Sequence, residues 1–141
     1  MVPLKRVLFV CTHNTARSQI AEGLLKLIGK GEYDVLSAGL EPADEVHPLA
    51  ITALRERVID TAGLKTKMID EELLRQEFDL VITVCDHAKD HCPIFPKARK
   101  CIHWSIKDPV EAKGSHEERL EAFRETRREI EKLIRSEILQ R

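Results

Sequence analysis

A chain of 141 residues, 43% of them hydrophobic and 33% charged, has material for one buried core and too little for two domains. Its 23 Lys and Arg against 24 Asp and Glu leave a formal net charge of -1, without the broad basic field that nucleic-acid binding requires. No apolar segment reaches the length of a membrane span and the run near Met1 is too short for a secretory signal, so a cytoplasmic, monomeric, single-domain protein over residues 1–141 is expected.

In chain order, Lys5 to Val10 reads as a buried strand. Ile20, Ala21, Leu24, Leu25 and Leu27 then line one face of a helix over Ser18 to Leu27, which Gly29 and Gly31 end. Tyr33 to Ala38 is a second strand. After Gly39 and Pro42 a helix runs from Pro48, where proline suits the first turn, to Ile59, and Asp70 to Arg75 adds a short one. The unbroken apolar run Leu80 to Val84 fits a central parallel strand covered on both faces, and Lys100 to Trp104 is a fourth strand. Ser115 with Glu118 forms a capping box. Leu120, Phe123, Ile130, Leu133, Ile134 and Ile138 mark the buried stripe of the long C-terminal helix that follows, and its charges form a solvated face. This order predicts an α/β three-layer sandwich around a four-stranded, mostly parallel sheet, with functional residues at the carboxyl ends of the strands.

Between the first strand and the first helix lies Cys11-Thr12-His13-Asn14-Thr15-Ala16-Arg17, closed by Ser18. A strand feeding a short loop that opens a helix aims backbone N–H groups and the positive end of the helix dipole at one point, which suits an anion. Thr12, His13, Asn14, Thr15, Ala16 and Arg17 are therefore the candidate oxyanion-binding residues, with Arg17 able to grip two oxygens of a tetrahedral anion above a Cys11 thiolate. Lowering a cysteine pKa from about 8.5 to roughly 6 takes about 3.4 kcal/mol, whereas a helix terminus supplies ~0.3 to 2. Loop N–H groups, the Ser18 hydroxyl and Arg17 must provide the rest. Asn14 tolerates the unusual backbone angles of such a loop, while His13 reads equally as a loop-shaping or a functional residue. A buried strand-end cysteine beside an ordinary surface arginine is the bland alternative, and the strand-loop-helix context weighs against it.

Cysteines in a cytosolic chain are reduced at rest, so catalytic, redox or metal-binding roles are expected of them. Cys85 and Cys92, within Val84-Cys85-Asp86-His87-Ala88-Lys89-Asp90-His91-Cys92-Pro93, would stand about 10.5 Å apart in a helix, beyond the ~7 Å limit for a disulfide. They bond only if the segment unwinds, which Pro93 favours. A redox switch is one reading. A core Cys85 with a loop Cys92 is another, and a zinc site drawing on Cys85, His87, His91, Cys92, Cys101 and His103 is a third, though their spacings match no familiar paired-ligand motif. Cys101 itself reads as a buried strand residue without a chemical role. Asp108, ahead of Pro109, is either a turn former or a proton donor that reaches the Cys11 loop.

Val10 to Gln19, Cys85 with Cys92-Pro93, and His103-Trp104 with Asp108-Pro109 together resemble the thioredoxin-coupled arsenate reductases, which share the low-molecular-weight protein tyrosine phosphatase fold. The likeness covers nearly the whole chain. It implies that Cys11 attacks arsenate held by the loop amides and Arg17, with Ser18 stabilising the thiolate and Asp108 helping to protonate the departing oxygen. It further implies that Cys85 attacks the Cys11 sulfur and expels arsenite, and that Cys92 attacks Cys85, so that Cys11, Cys85 and Cys92 form a redox-active set reset by thioredoxin or a similar thiol donor. Phosphate and sulfate are look-alike anions, and the scheme requires no cofactor. Several members bind potassium through residues matching Asn14, Glu22 and Ser37 plus an aspartate that falls at Lys67. A lysine cannot ligate a cation, so potassium is expected to be dispensable, with the Lys67 ammonium in its place. Many members also have glycine at the position of His13.

The alternative is a phosphatase of the same fold that hydrolyses phosphate monoesters through a phosphocysteine at Cys11, with water in the place of Cys85. Such phosphatases usually follow Asp-Pro with aromatic residues, whereas Val110 and Glu111 follow here, which favours a small inorganic anion. Residual activity toward aryl phosphates is expected. A third reading, a sensor of oxidants or metals built on Cys85, Cys92 and the histidines, leaves the loop from Cys11 to Ser18 unexplained.

Overall fold

The computed structural model describes residues 4–84 and 94–139; Cys85, Cys92 and the residues between them lie outside the described residues. In order, the elements are β1 (Lys5–Cys11), α1 (Arg17–Ile28), β2 (Tyr33–Gly39), α2 (Pro48–Arg55), α3 (Glu71–Arg75), β3 (Leu80–Thr83), β4 (Cys101–His103), a 3-10 turn (Pro109–Glu111) and α4 (His116–Glu137). The strands form one sheet in the order β2-β1-β3-β4, and every pairing is parallel.

β1 is central because its apolar run does not alternate, and Val7, Leu8, Phe9 and Val10 are all buried. Val7, Phe9 and Cys11 pack into one cluster with Ile20 and Leu24 of α1, Ala50 and Leu54 of α2, and Phe123, Ile130 and Ile134 of α4. Leu8 and Val10 join a second cluster with Phe78, Val81 and Phe95, against which Leu73 and Leu74 of α3 pack. Helices on both faces of a parallel sheet make the three layers that the element order predicts. Among the described residues no helix is long and apolar enough to cross a membrane.

α4 starts at the expected capping box: Ser115 Oγ accepts from the Glu118 N–H, and Glu118 Oε1 accepts from the Ser115 N–H. Arginines then tie it to α2. Arg124 and Arg127 both donate to Glu56, and chiefly the Arg124 hydrogen bonds hold that carboxyl down at about 2.

Two expectations need correction. α2 stops at Arg55, short of Ile59, because Val58 takes a φ of +60° and the N–H groups of Val58 and Ile59 turn back to the carbonyls of Arg55 and Leu54. A left-handed stop of this kind normally falls to glycine. Cys101 is exposed rather than buried, since β4 is a short strand at the sheet edge and its first residue faces solvent.

Candidate active site

Residues 11–17 turn from the carboxyl end of β1 into α1, and their outward hydrogen bonds explain the shape of the turn. The carbonyls of Cys11, Thr12, His13 and Thr15 accept from the N–H groups of Leu40, Glu41, Ala43 and His47 at 2.8–3.2 Å, and that of Ala16 accepts from Ile20 N at 2.8 Å. The Asn14 carbonyl accepts from Gln19 Nε2 at 2.9 Å. N–H and C=O point in opposite directions across a trans peptide, so a loop whose carbonyls are all engaged outward turns the N–H groups of the same peptide planes inward. The Asn14 N–H shows the result directly, pointing at Cys11 Sγ from 3.2 Å. Asn14 itself takes a φ of +49°, as the sequence anticipates.

Gly39 permits this fit: a Cβ there would lie 2.8 Å from the Thr12 carbonyl oxygen and 3.0 Å from Asn14 N. Cys11 is buried, with Sγ 2.9 Å from Ser18 Oγ. Ser18 Oγ already accepts from Asn14 Nδ2 at 2.7 Å. A thiolate can only accept, so toward an ionised Cys11 the Ser18 hydroxyl is the donor.

Arg17 is 7% exposed, which rules out the bland reading of a surface charge. Its Nη1 donates to the Ile106 carbonyl at 2.9 Å, and Nη2 lies 3.4 Å from Asp108 Oδ2. Asp108 Oδ1 accepts from Val110 N at 3.0 Å and caps the 3-10 turn. Turn former and neighbour of the loop are thus one role divided between two oxygens. His13 is exposed, with Nδ1 2.9 Å from the Glu41 carbonyl, where it shapes the loop. His47 Nδ1 accepts from Leu49 N and caps α2, and burial pushes its imidazole pKa below the ordinary value, which favours the neutral ring that the cap needs.

Beneath the loop, Ser37 Oγ donates to Glu22 Oε1 at 2.5 Å and accepts from Asn14 Nδ2 at 3.0 Å. Lys67 N donates to Asn14 Oδ1 at 2.9 Å, while Lys67 Nζ donates to the Lys65 carbonyl at 2.6 Å and lies 3.7 Å from Glu22 Oε1. The Lys67 ammonium thus stands beside the Glu22 carboxylate, and a second unit positive charge 4 Å from it would be repelled by about 4 kcal/mol at an effective dielectric of 20.

Among the described residues no three His, Cys, Asp or Glu side chains converge to hold a metal. The proposed zinc ligands Cys85, His87, His91 and Cys92 lie outside the described residues. Val84, the residue before Cys85, donates from its backbone to the Val10 carbonyl at 2.9 Å, next to Cys11. Reading the sequence alone missed the segment 40–47 that backs the loop, the bonds of Gln19, and the close approach at Gly39. Only the glycine at the end of β2 offered a signal.

The family model for low molecular weight phosphotyrosine protein phosphatase matches residues 6–140. An arsenate reductase of Halalkalibacterium halodurans is 45% identical over 132 residues, 94% of this chain and 94% of the relative. A solved arsenate reductase in the phosphate binding state superposes with a TM-score of 0.80 at 33% identity, covering 94% of this chain and 95% of that one. A thioredoxin-dependent arsenate reductase of Corynebacterium glutamicum superposes with a TM-score of 0.71 at 33% identity, covering 95% of this chain and 62% of that one.

Proposed function

The chain belongs to the low-molecular-weight phosphotyrosine protein phosphatase family, and from that membership we propose that it reduces arsenate to arsenite by a three-cysteine relay that thioredoxin or a similar dithiol resets. The observation that carries the reading is the meeting of Cys11 Sγ, the Ser18 hydroxyl and the inward Asn14 N–H, together with the Arg17 and Asp108 pair. An arsenate reductase 45% identical over nearly the whole chain supports it, as does the thioredoxin-dependent structural relative.

Arsenate binds against the N–H groups of residues 12–17 and the Arg17 guanidinium. The Cys11 thiolate forms a bond to arsenic, and one oxygen leaves as water with protonation assisted by Asp108. Cys85 then attacks the Cys11 sulfur. The sulfur–arsenic bond breaks with its electron pair remaining on arsenic, arsenite departs, and a Cys11–Cys85 disulfide is left. Cys92 attacks Cys85, freeing Cys11 as thiolate and leaving a Cys85–Cys92 disulfide, whose reduction by the donor supplies the two electrons that arsenic gained.

The test is arsenate-dependent NADPH consumption with thioredoxin and thioredoxin reductase, with arsenite quantified. Steady consumption matched by arsenite is expected of the native chain, and Cys92→Ser should stop after one arsenite per protein. Continued turnover by Cys92→Ser would overturn the relay. Hydrolysis of an aryl phosphate without any arsenite formation would favour the phosphatase.

A further inference from the structure

We propose that Lys67 is a tethered counterion for Glu22 and, through Ser37, Asn14 and Ser18, a positioning residue for the Cys11 thiolate, so that the site works without a bound monovalent cation. This rests on Cys11 being the nucleophile of the reaction proposed above.

The protons of this network have one consistent direction. A carboxylate only accepts, so the single hydroxyl proton of Ser37 goes to Glu22, and the Ser37 oxygen stays open to Asn14 Nδ2. That fixes the Asn14 amide, with Nδ2 toward Ser37 and Ser18, and Oδ1 toward Lys67 N and Gln19 Nε2. Ser18, having accepted from Asn14, turns its own proton to Cys11 Sγ. The Glu22 charge and the Lys67 N–H, which can only donate, therefore favour one and the same direction for the hydrogen bonds up to the nucleophile, and such chains of hydrogen bonds reinforce one another.

Glu22 is 3% exposed, and a carboxylate so buried needs a partner. Two lysines flank it. Lys26 reaches Oε2 at 2.6 Å with its side chain half exposed, whereas Lys67 faces Oε1, the oxygen that Ser37 uses. Lys67 is also pinned by its backbone, since its carbonyl accepts from Gly39 N at 2.8 Å and its N–H holds Asn14 Oδ1. Burial lowers the pKa of its ammonium, and the Glu22 charge offsets only part of that fall, so what favours the charged form here is the pairing with Glu22.

The test is the rate at which iodoacetamide alkylates Cys11, read by mass spectrometry of the Cys11 peptide, in choline chloride and in potassium chloride of equal ionic strength. It needs neither arsenate nor an electron donor, so the inference can fail while arsenate reduction stands, and the reverse. The native chain should react equally in both salts. At about pH 5.5, where the rate follows the thiolate fraction, Lys67→Met in choline chloride should react roughly three- to tenfold more slowly, the effect of half to one pKa unit. Potassium should restore much of that rate by entering the place of the ammonium. A native chain that reacts faster or melts higher in potassium would overturn the proposal, as would Lys67→Met reacting at the native rate or remaining slow in potassium. Should Lys67→Met fail to fold, the salt comparison on the native chain still decides.

Discussion

Replacing Gly39 by alanine tests whether backing by β2 shapes the Cys11 loop. The added Cβ would sit 2.8 Å from the Thr12 carbonyl oxygen and 3.0 Å from both N and Cβ of Asn14, and backbone cannot swing aside as a side-chain tip can. Ordinary contact begins near 3.4 Å, so the loop must retreat by roughly 0.4–0.6 Å. Overpacking of this kind costs about 1–3 kcal/mol, less the ~0.4–1 kcal/mol that alanine gains by restricting the unfolded chain. A net loss of about 1–2 kcal/mol lowers Tm by roughly 4–8 °C for a chain of this size. Misplacement by about 1 Å can cost a hundredfold in rate, so half of that predicts a kcat/KM for arsenate down by roughly tenfold. Gly23→Ala is the control, because the nearest atoms to its Cβ would be side-chain methyls, those of Leu54 at 3.1 Å and Ile59 Cγ2 at 3.6 Å, rather than backbone. It should melt within ~3 °C of the native chain and keep full activity. Thermal melts and steady-state kinetics on both variants decide: native stability and kcat/KM in Gly39→Ala would refute the account of how the loop is shaped.

Glu56→Gln should lose about 1 kcal/mol at pH 7, well under the ~3.4 kcal/mol of a full pKa shift, because the Arg124 and Arg127 pairs are partly open to solvent and screened by it. The Glu56 carboxyl is lowered from 4.5 to about 2 in the folded chain, so this stability is present above 4.5 and lost as pH falls toward 2. Urea melts of the two proteins should converge over that window, and a constant gap would contradict the assignment. Val58→Gly relieves about 1–2 kcal/mol of left-handed strain at a residue 89% exposed, against ~0.5–1 kcal/mol of glycine entropy. A Tm higher by roughly 2–4 °C is expected, and a fall would show that Val58 is not strained.

What the sequence made legible was whatever rests on local pattern. β1 and β3 announce themselves by unbroken apolar runs, α4 by its stripe and its capping box, and the anion loop by a cysteine, an arginine and a serine at the junction of strand and helix. The misses have a different physical origin. Val58 ends α2 in a conformation that valine disfavours, so propensity points the wrong way. At Cys101 the apolar pattern points to burial, but burial of a short strand depends on its place in the sheet, which no local pattern carries.

The segment 40–47 stayed hidden for a further reason, which bears on the chemistry. It holds the loop through its own backbone N–H groups, so its side chains record nothing of the task. Convergent N–H groups repel one another, and a loop that gathers them must gain elsewhere what it loses there. Here the gain lies on the outer side, where each carbonyl from Cys11 to Ala16 has a partner. The concave side is left to two kinds of group: donors fixed by that outer frame, and the Ser18 hydroxyl, oriented from below by Asn14, Ser37 and Glu22. Donors arranged in this way need no reorganisation when negative charge arrives, which is the condition under which electrostatic stabilisation of a thiolate, or of an oxyanion above it, is most effective.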